Sequence, residues 1–107
     1  MLDIAAGSGV WGITLAKSAR RVRVTAVDWP SVLEVTRRVA ASHGVADRFT
    51  FAPGDLLEVD FGDGHQVATL GQILHTEGEE RSRALLRRVQ AALAPGGRIA
   101  IAEVSCK

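Results

Sequence analysis

Residues 2–12 read Leu-Asp-Ile-Ala-Ala-Gly-Ser-Gly-Val-Trp-Gly. A short apolar run ends in a glycine-bearing turn, and the turn opens directly into a helical pattern. Gly7 and Gly9 let the backbone turn sharply and leave room for a ligand beside the main chain. The helix behind them aims its unpaired first-turn N–H groups at the same spot. This is the layout with which α/β proteins hold a nucleotide-like group, and the remaining sequence reads as walls around it.

Working outward, residues 2–6 are expected to form a buried strand with Asp3 as its polar exception. From Ser8 or Gly9 to about Arg20, the positions Val10, Ile13 and Ala16 keep helical spacing, and Trp11 reads as core packing on that helix. Residues 22–28 are rich in β-branched side chains and predict a second strand ending at Asp28. Pro30 restarts the chain as a helix, in the first-turn position that proline tolerates, and Gly44 stops it. Residues 48–52 predict a third strand, closed by the turn signal Pro53-Gly54. A short helical turn over 56–58 and a polar, glycine-rich loop over 60–65 follow. Residues 67–74 predict a fourth strand and 79–94 a helix with Leu85, Leu86, Val89, Ala92 and Leu93 on one face. Pro95-Gly96-Gly97 ends that helix, and residues 98–104 predict a fifth strand.

Strands alternating with helices imply a parallel sheet covered on both faces. Ligands of such sheets bind at the carboxyl ends of the strands, near the switch point beside the first strand. That rule gathers Gly7 and Gly9, Asp28 with Trp29, Asp55 with Leu56, and Leu74 with His75 around one pocket.

Composition narrows the classes. A chain of 107 residues is sized for one domain, and 47% apolar with 23% charged residues is ordinary for a folded protein. The net charge of +1 gives no bulk electrostatic case for nucleic acid or an anionic membrane. Cys106 is the single cysteine, so no internal disulfide can form and a reducing, cytoplasmic setting is expected. No apolar run is long enough to span a bilayer. No His, Cys, Asp or Glu cluster has metal-ligand spacing, so a metal-independent site is expected.

The candidate residues carry recognisable chemistry. Gly7 to Gly12 fits G-x-G-x-x-G, a weak pattern alone that gains weight between a strand and a helix. Asp28 lies 19 residues beyond Gly9. A carboxylate there can accept hydrogen bonds from both hydroxyls of a ribose, or it can cap the helix that starts near Pro30. At this stage a nicotinamide dinucleotide and S-adenosylmethionine are both open. Asp55, just past the third strand, suits an adenine amino group, with Leu56 packed on the ring. Asp3, inside an apolar strand, needs backbone or cofactor-amine donors to be tolerable.

Four segments carry a resemblance. Residues 2–9, Val27-Asp28-Trp29-Pro30, Pro53-Gly54-Asp55-Leu56 and Leu93-Ala94-Pro95-Gly96-Gly97-Arg98 resemble, in order, class I S-adenosylmethionine-dependent methyltransferases. The stretch Ile73-Leu74-His75, with the acidic residues 77–80 and the long helix, is most similar to the caffeic acid-type O-methyltransferases and their bacterial small-molecule relatives. The resemblance implies a Rossmann-like doubly wound parallel sheet of five strands in the order 3-2-1-4-5. It implies S-adenosylmethionine as cofactor and a small-molecule acceptor. Gly7 and Gly9 would line the methionine end and sugar, Asp28 would hold the ribose with Trp29 beside the adenine, and Asp55 and Leu56 would frame the base. His75 falls where these enzymes keep a general base, and Glu103 where they keep its acidic partner. A base near neutral pH and a carboxylate fixing its tautomer suit proton removal from a hydroxyl.

The pattern departs from the family in two ways. Ala5 and Ala6 stand where many members have glycine. Family members also have an N-terminal helical dimerisation region, two further strands and another acidic residue near the histidine, none of which is recognisable here. The expectation is therefore a single cofactor-binding core, residues 1–107, from a larger protein. Its fifth strand would form an apolar edge open to a second copy or another chain. Two alternatives stay open: a cofactor-binding piece without turnover, and a nicotinamide-dependent oxidoreductase.

Overall fold

The computed structural model describes the backbone of residues 1–4, 9–71 and 73–102, and their side chains except at 71–78 and 101–102. The chain alternates β1 (Leu2–Ile4), α1 (Val10–Ser18), β2 (Val24–Asp28), α2 (Pro30–Ser42), a 3-10 turn (Ala46–Arg48) and β3 (Phe49–Pro53). Then follow β4 (His65–Gly71), α3 (Ile73–Ala92) and β5 (Leu93–Ala102). The sheet order is β3-β2-β1-β4-β5 and every pairing is parallel, the order expected above.

Alternation along the strands splits the core into two layers. Leu2, Ile4, Val27, Ala68 and Leu70 pack against Leu85, Val89 and Ala92 of α3. Val24 and Ala26 pack on the other face against Ile13 and Ala16 of α1 and Leu33 and Ala40 of α2. Asp3 pairs in register with Ala26 on one side and Thr69 on the other, so all three side chains belong to the α1 face.

Local chemistry sets the helix ends. Pro30 is the first residue of α2. Gly44 closes it with φ +72°. The Gly44 amide donates to Ala41 O and the Val45 amide to Ala40 O, both at 3.0 Å, so the last carbonyls are satisfied.

Three expectations are corrected. β4 runs from His65 to Gly71, not over 67–74, and α3 begins at Ile73 rather than at 79. The apolar pair Ile73-Leu74 continued a strand-like run, and periodicity alone does not separate a buried strand from a buried helix start. Pro95-Gly96-Gly97 lies within β5 as an irregularity: the register jumps from His65↔Leu93 to Val67↔Arg98. Proline fits there because β5 is an edge strand. A Cβ on Gly97 would stand 2.9 Å from Ala94 O and 3.0 Å from His65 O, so glycine is what lets the strands close up. Finally, α1 is apolar on more than one side: Gly12, Ile13 and Ala16 are buried, while Trp11 is 49% exposed rather than part of the core. Among the described residues, no helix is long and apolar enough to cross a membrane.

Candidate cofactor site

The carboxyl ends of β1, β2 and β3 lie side by side through the pairings Ile4↔Val27 and Asp28↔Pro53. Gly9 caps α1 with φ +82°, and its carbonyl accepts the Ile13 amide at 2.8 Å. A Cβ at Gly9 would sit 3.1 Å from both Ile13 Cδ1 and Thr36 Cγ2, so the turn is pressed against α1 and α2. The first-turn amides of α1 have no intrahelical acceptors and mark this end of the helix as the place for an anionic group. Gly7 and Glu103 lie outside the described residues.

Asp28 ends β2. Its Oδ1 accepts the Trp29 amide at 2.8 Å, and its carbonyl accepts the Gly54 amide at 3.0 Å. The cap position of α2 belongs to Trp29, without a side-chain cap bond. Asp28 therefore stands one residue ahead of the cap position of α2. Trp29 is 53% exposed, a large aromatic face left open beside it.

Asp55 anchors a one-turn cap after β3. Its Oδ1 accepts the Leu57 amide at 2.9 Å, and its carbonyl accepts the amides of Glu58 and Val59, both at 2.9 Å. Arg81 of α3 bonds the same Oδ1 at 3.1 Å. The Leu57 amide and the Arg81 guanidinium hold the Asp55 carboxyl below its usual range. Leu56, next to it, is 6% exposed and packs in the α3-side core.

Asp3 is the most unusual group. It is 1% exposed in the middle of β1. Its Oδ1 accepts the Thr69 hydroxyl at 2.9 Å, and its Oδ2 has no hydrogen-bond partner among the described residues. Burial pushes its carboxyl up to about 6, with the Thr69 hydroxyl and the nearby Gly12 amide pulling the other way and the Asp28 charge adding to the rise. Gly12 is more than the end of a pattern: a Cβ there would meet Val24 Cγ1 at 2.9 Å and Asp3 Oδ2 at 3.2 Å.

His75 lies in the first turn of α3, after the end of β4, not at a strand end; its side chain is outside the described residues. Sequence reasoning passed over Thr69, Arg81 and Arg88. Thr69 is a polar interruption of an apolar strand, but only the register reveals that it faces Asp3. Arg81 and Arg88 lie seven apart, on one face of a helix, and both reach the loop after β3.

A hollow of about 430 Å³ lies at the opposite, amino end of the strands, between Met1, Arg21, Arg23 and the start of β4. The candidate site is instead an open cradle of backbone turns and two carboxylates at the carboxyl ends of the strands. Such a cradle, with its sheet order and turn, defines a class: an α/β domain that binds a nucleoside-bearing cofactor.

The chain matches the model of the methyltransferase domain family over residues 1–97 and belongs to that family. It is 35% identical over 105 residues to 3-amino-4-hydroxybenzoate 4-O-methyltransferase of Streptomyces cremeus, covering 96% of this chain and 28% of that protein. It is 31% identical over 101 residues to L-tyrosine C(3)-methyltransferase of Streptomyces lavendulae, covering 94% and 28%. A candidate O-methyltransferase from Nostoc punctiforme PCC 73102 superimposes with a TM-score of 0.91 at 36% identity, covering 94% of this chain and 30% of that one. The chain thus spans less than a third of the length of these relatives. The family's cofactor is S-adenosylmethionine, and the choice left open with a nicotinamide dinucleotide falls on the former.

Proposed function

We propose that this chain is the cofactor-binding core of a methyltransferase acting on a small molecule, and that one domain, residues 1–107, holds S-adenosylmethionine at the carboxyl ends of β1, β2 and β3. The observation that carries the reading is Asp3: a buried carboxylate with one oxygen unsatisfied among the described residues. An isolated buried carboxylate is costly, and a cationic amine is the partner that makes it tolerable. The methionine end of the cofactor carries such an ammonium.

The other residues take complementary parts. The free amides at the start of α1 face a carboxylate. Gly7 and Gly9 leave room for the chain of the methionine. Asp28 accepts the ribose hydroxyls, and Trp29 flanks the adenine. Asp55 accepts the adenine amino group with the oxygen that the turn and Arg81 do not use. When bound, the cofactor supplies a methyl group on a sulfonium, already a strong electrophile. The protein's share is then alignment and proton removal.

For the acceptor we favour a hydroxyl. His75 would remove its proton and Glu103 would orient the imidazole, both roles resting on the resemblance. The relatives methylate oxygen in one case and carbon in another, so a histidine base is the feature that favours oxygen. The open edge of β5 is where a second copy or another chain segment would pair.

Titration of S-adenosylhomocysteine against tryptophan fluorescence tests the placement. Trp29 emission should change on binding, and Asp28→Ala should weaken the affinity by at least about tenfold, the loss of hydrogen bonds to a charged group. Unchanged affinity in Asp28→Ala would refute the ribose assignment.

A further inference from the structure

The Asp3 carboxylate has one side-chain donor among the described residues, and the backbone of α1 approaches it from a second side. On β4, Thr69 is 6% exposed and stands in register with Asp3 on the same face of the sheet. Its hydroxyl donates to Asp3 Oδ1 at 2.9 Å. From α1, the Gly12 backbone approaches Oδ2, which lies 3.2 Å from where a glycine Cβ would be. From β2, Asp28 is the charged group that acts on Asp3, and the sign is repulsive. Among the described residues, no cation faces this carboxylate: α1 offers an amide, β4 a hydroxyl and β2 a second negative charge.

We propose that Thr69 is a positioning residue of the cofactor site, whose hydroxyl fixes the rotamer of Asp3 and favours its ionised form, so that the other carboxylate oxygen stays available to the cofactor's ammonium. The proposal rests on the cofactor reading above and adds a residue to it. The chemistry is one-directional. A hydroxyl donating to a carboxylate stabilises the charged form and gives nothing comparable to the neutral acid. A methyl in its place would leave Asp3 with no side-chain donor in a buried setting, and the acid form would gain.

The consequence is a pH-dependent affinity. The ammonium of the cofactor pairs with the carboxylate, not with the acid. Below the Asp3 midpoint, affinity should fall by about tenfold for each pH unit. The hydroxyl of Thr69 sets where that fall begins. Burial has already moved the midpoint of Asp3 up to about 6, close to the working range of a protein. Loss of the Thr69 donor moves it further up, into that range.

Calorimetric titration from pH 5 to 8 with two ligands tests this. S-adenosylhomocysteine carries the ammonium, and 5′-methylthioadenosine lacks it. The wild-type chain should bind the first more tightly as pH rises and the second without that trend. Thr69→Val should move the midpoint for S-adenosylhomocysteine upward by about one pH unit, the worth of a hydrogen bond to a charged group. Thr69→Ser should restore the wild-type profile, and Thr69→Cys, a weaker donor, should fall between. If the wild-type profile is flat for both ligands, the pairing of Asp3 with the ammonium is wrong and the cofactor reading fails at that point. If the wild-type profile slopes but Thr69→Val leaves its midpoint in place, Thr69 is a packing residue only and the proposal is overturned while the cofactor reading stands. Should Thr69→Val not fold, the order of the Ser and Cys midpoints decides the matter in the same way.

Discussion

Asp3 is a residue kept against the interest of the fold. Its midpoint in the folded chain, about 6, stands above its ordinary 3.8. A group whose folded value is raised favours the fold below its unfolded value and loses that contribution as pH rises through the folded one. The ligand-free chain should therefore lose stability between about pH 4 and pH 7, by up to about 3 kcal/mol for a shift of this size. Asp3→Asn should flatten that slope and raise the melting temperature at pH 7.5 by several degrees, while S-adenosylhomocysteine no longer stabilises the variant. A melting curve series across pH checks both, and an Asp3→Asn variant no more stable than wild type at pH 7.5 would count against a strained carboxylate. Binding sites often hold such groups at the expense of stability. Asp3 was legible in the sequence because a carboxylate in an apolar strand has no bland explanation. Thr69 was not, because its role depends on strand register, which pairs residues 66 positions apart. The burial of Leu56 was not legible for a related reason: where an apolar residue in a turn packs depends on which side of the sheet the turn lands.

At the scale of elements, the first turn and its helix explain why the third glycine of the pattern is there. Gly12 completes the G-x-G-x-x-G pattern, and its bare Cα lets α1 lie close to β1 and β2. Gly12→Ala would force a Cβ to within 2.9 Å of Val24 Cγ1 and 3.2 Å of Phe49 Cζ. Overpacking of this kind costs on the order of 1–3 kcal/mol. Chemical denaturation should show that loss, and a neutral Gly12→Ala would mean that α1 shifts freely. The other coupling runs from α3 to the loop after β3. Arg88 donates to Leu56 O at 3.3 Å and to Val59 O, and its guanidinium lies 4.8 Å from the centre of the Phe61 ring. With Arg81 on Asp55, one helix face holds the adenine-side turn in place. Arg88→Ala should speed amide hydrogen exchange over residues 55–61 while leaving β1 and β2 protected. Equal exchange in variant and wild type would show that the turn holds itself. The α2 boundaries were readable because Pro30 and Gly44 act locally. The end of β4 and the start of α3 were not, because Ile73 and Leu74 fit either element until the sheet closes.

At the scale of the molecule, the alternation of elements made a parallel, doubly covered sheet legible; the strand order 3-2-1-4-5 came with the family resemblance, and the sheet has that order. The radius of gyration of 13.0 Å is that of a packed domain of about this length. The methyltransferase domain model matches residues 1–97 of the chain, and the chain covers less than a third of its relatives' length. Under the proposed function, the core supplies the cofactor side of the reaction, and binding is the property to measure. Calorimetric titration of the purified chain with S-adenosylhomocysteine and, separately, with NAD is the most direct test. One site for S-adenosylhomocysteine is expected, weakened at least about tenfold in Asp28→Ala, with no binding of NAD. Binding of NAD without S-adenosylhomocysteine would contradict the proposed function.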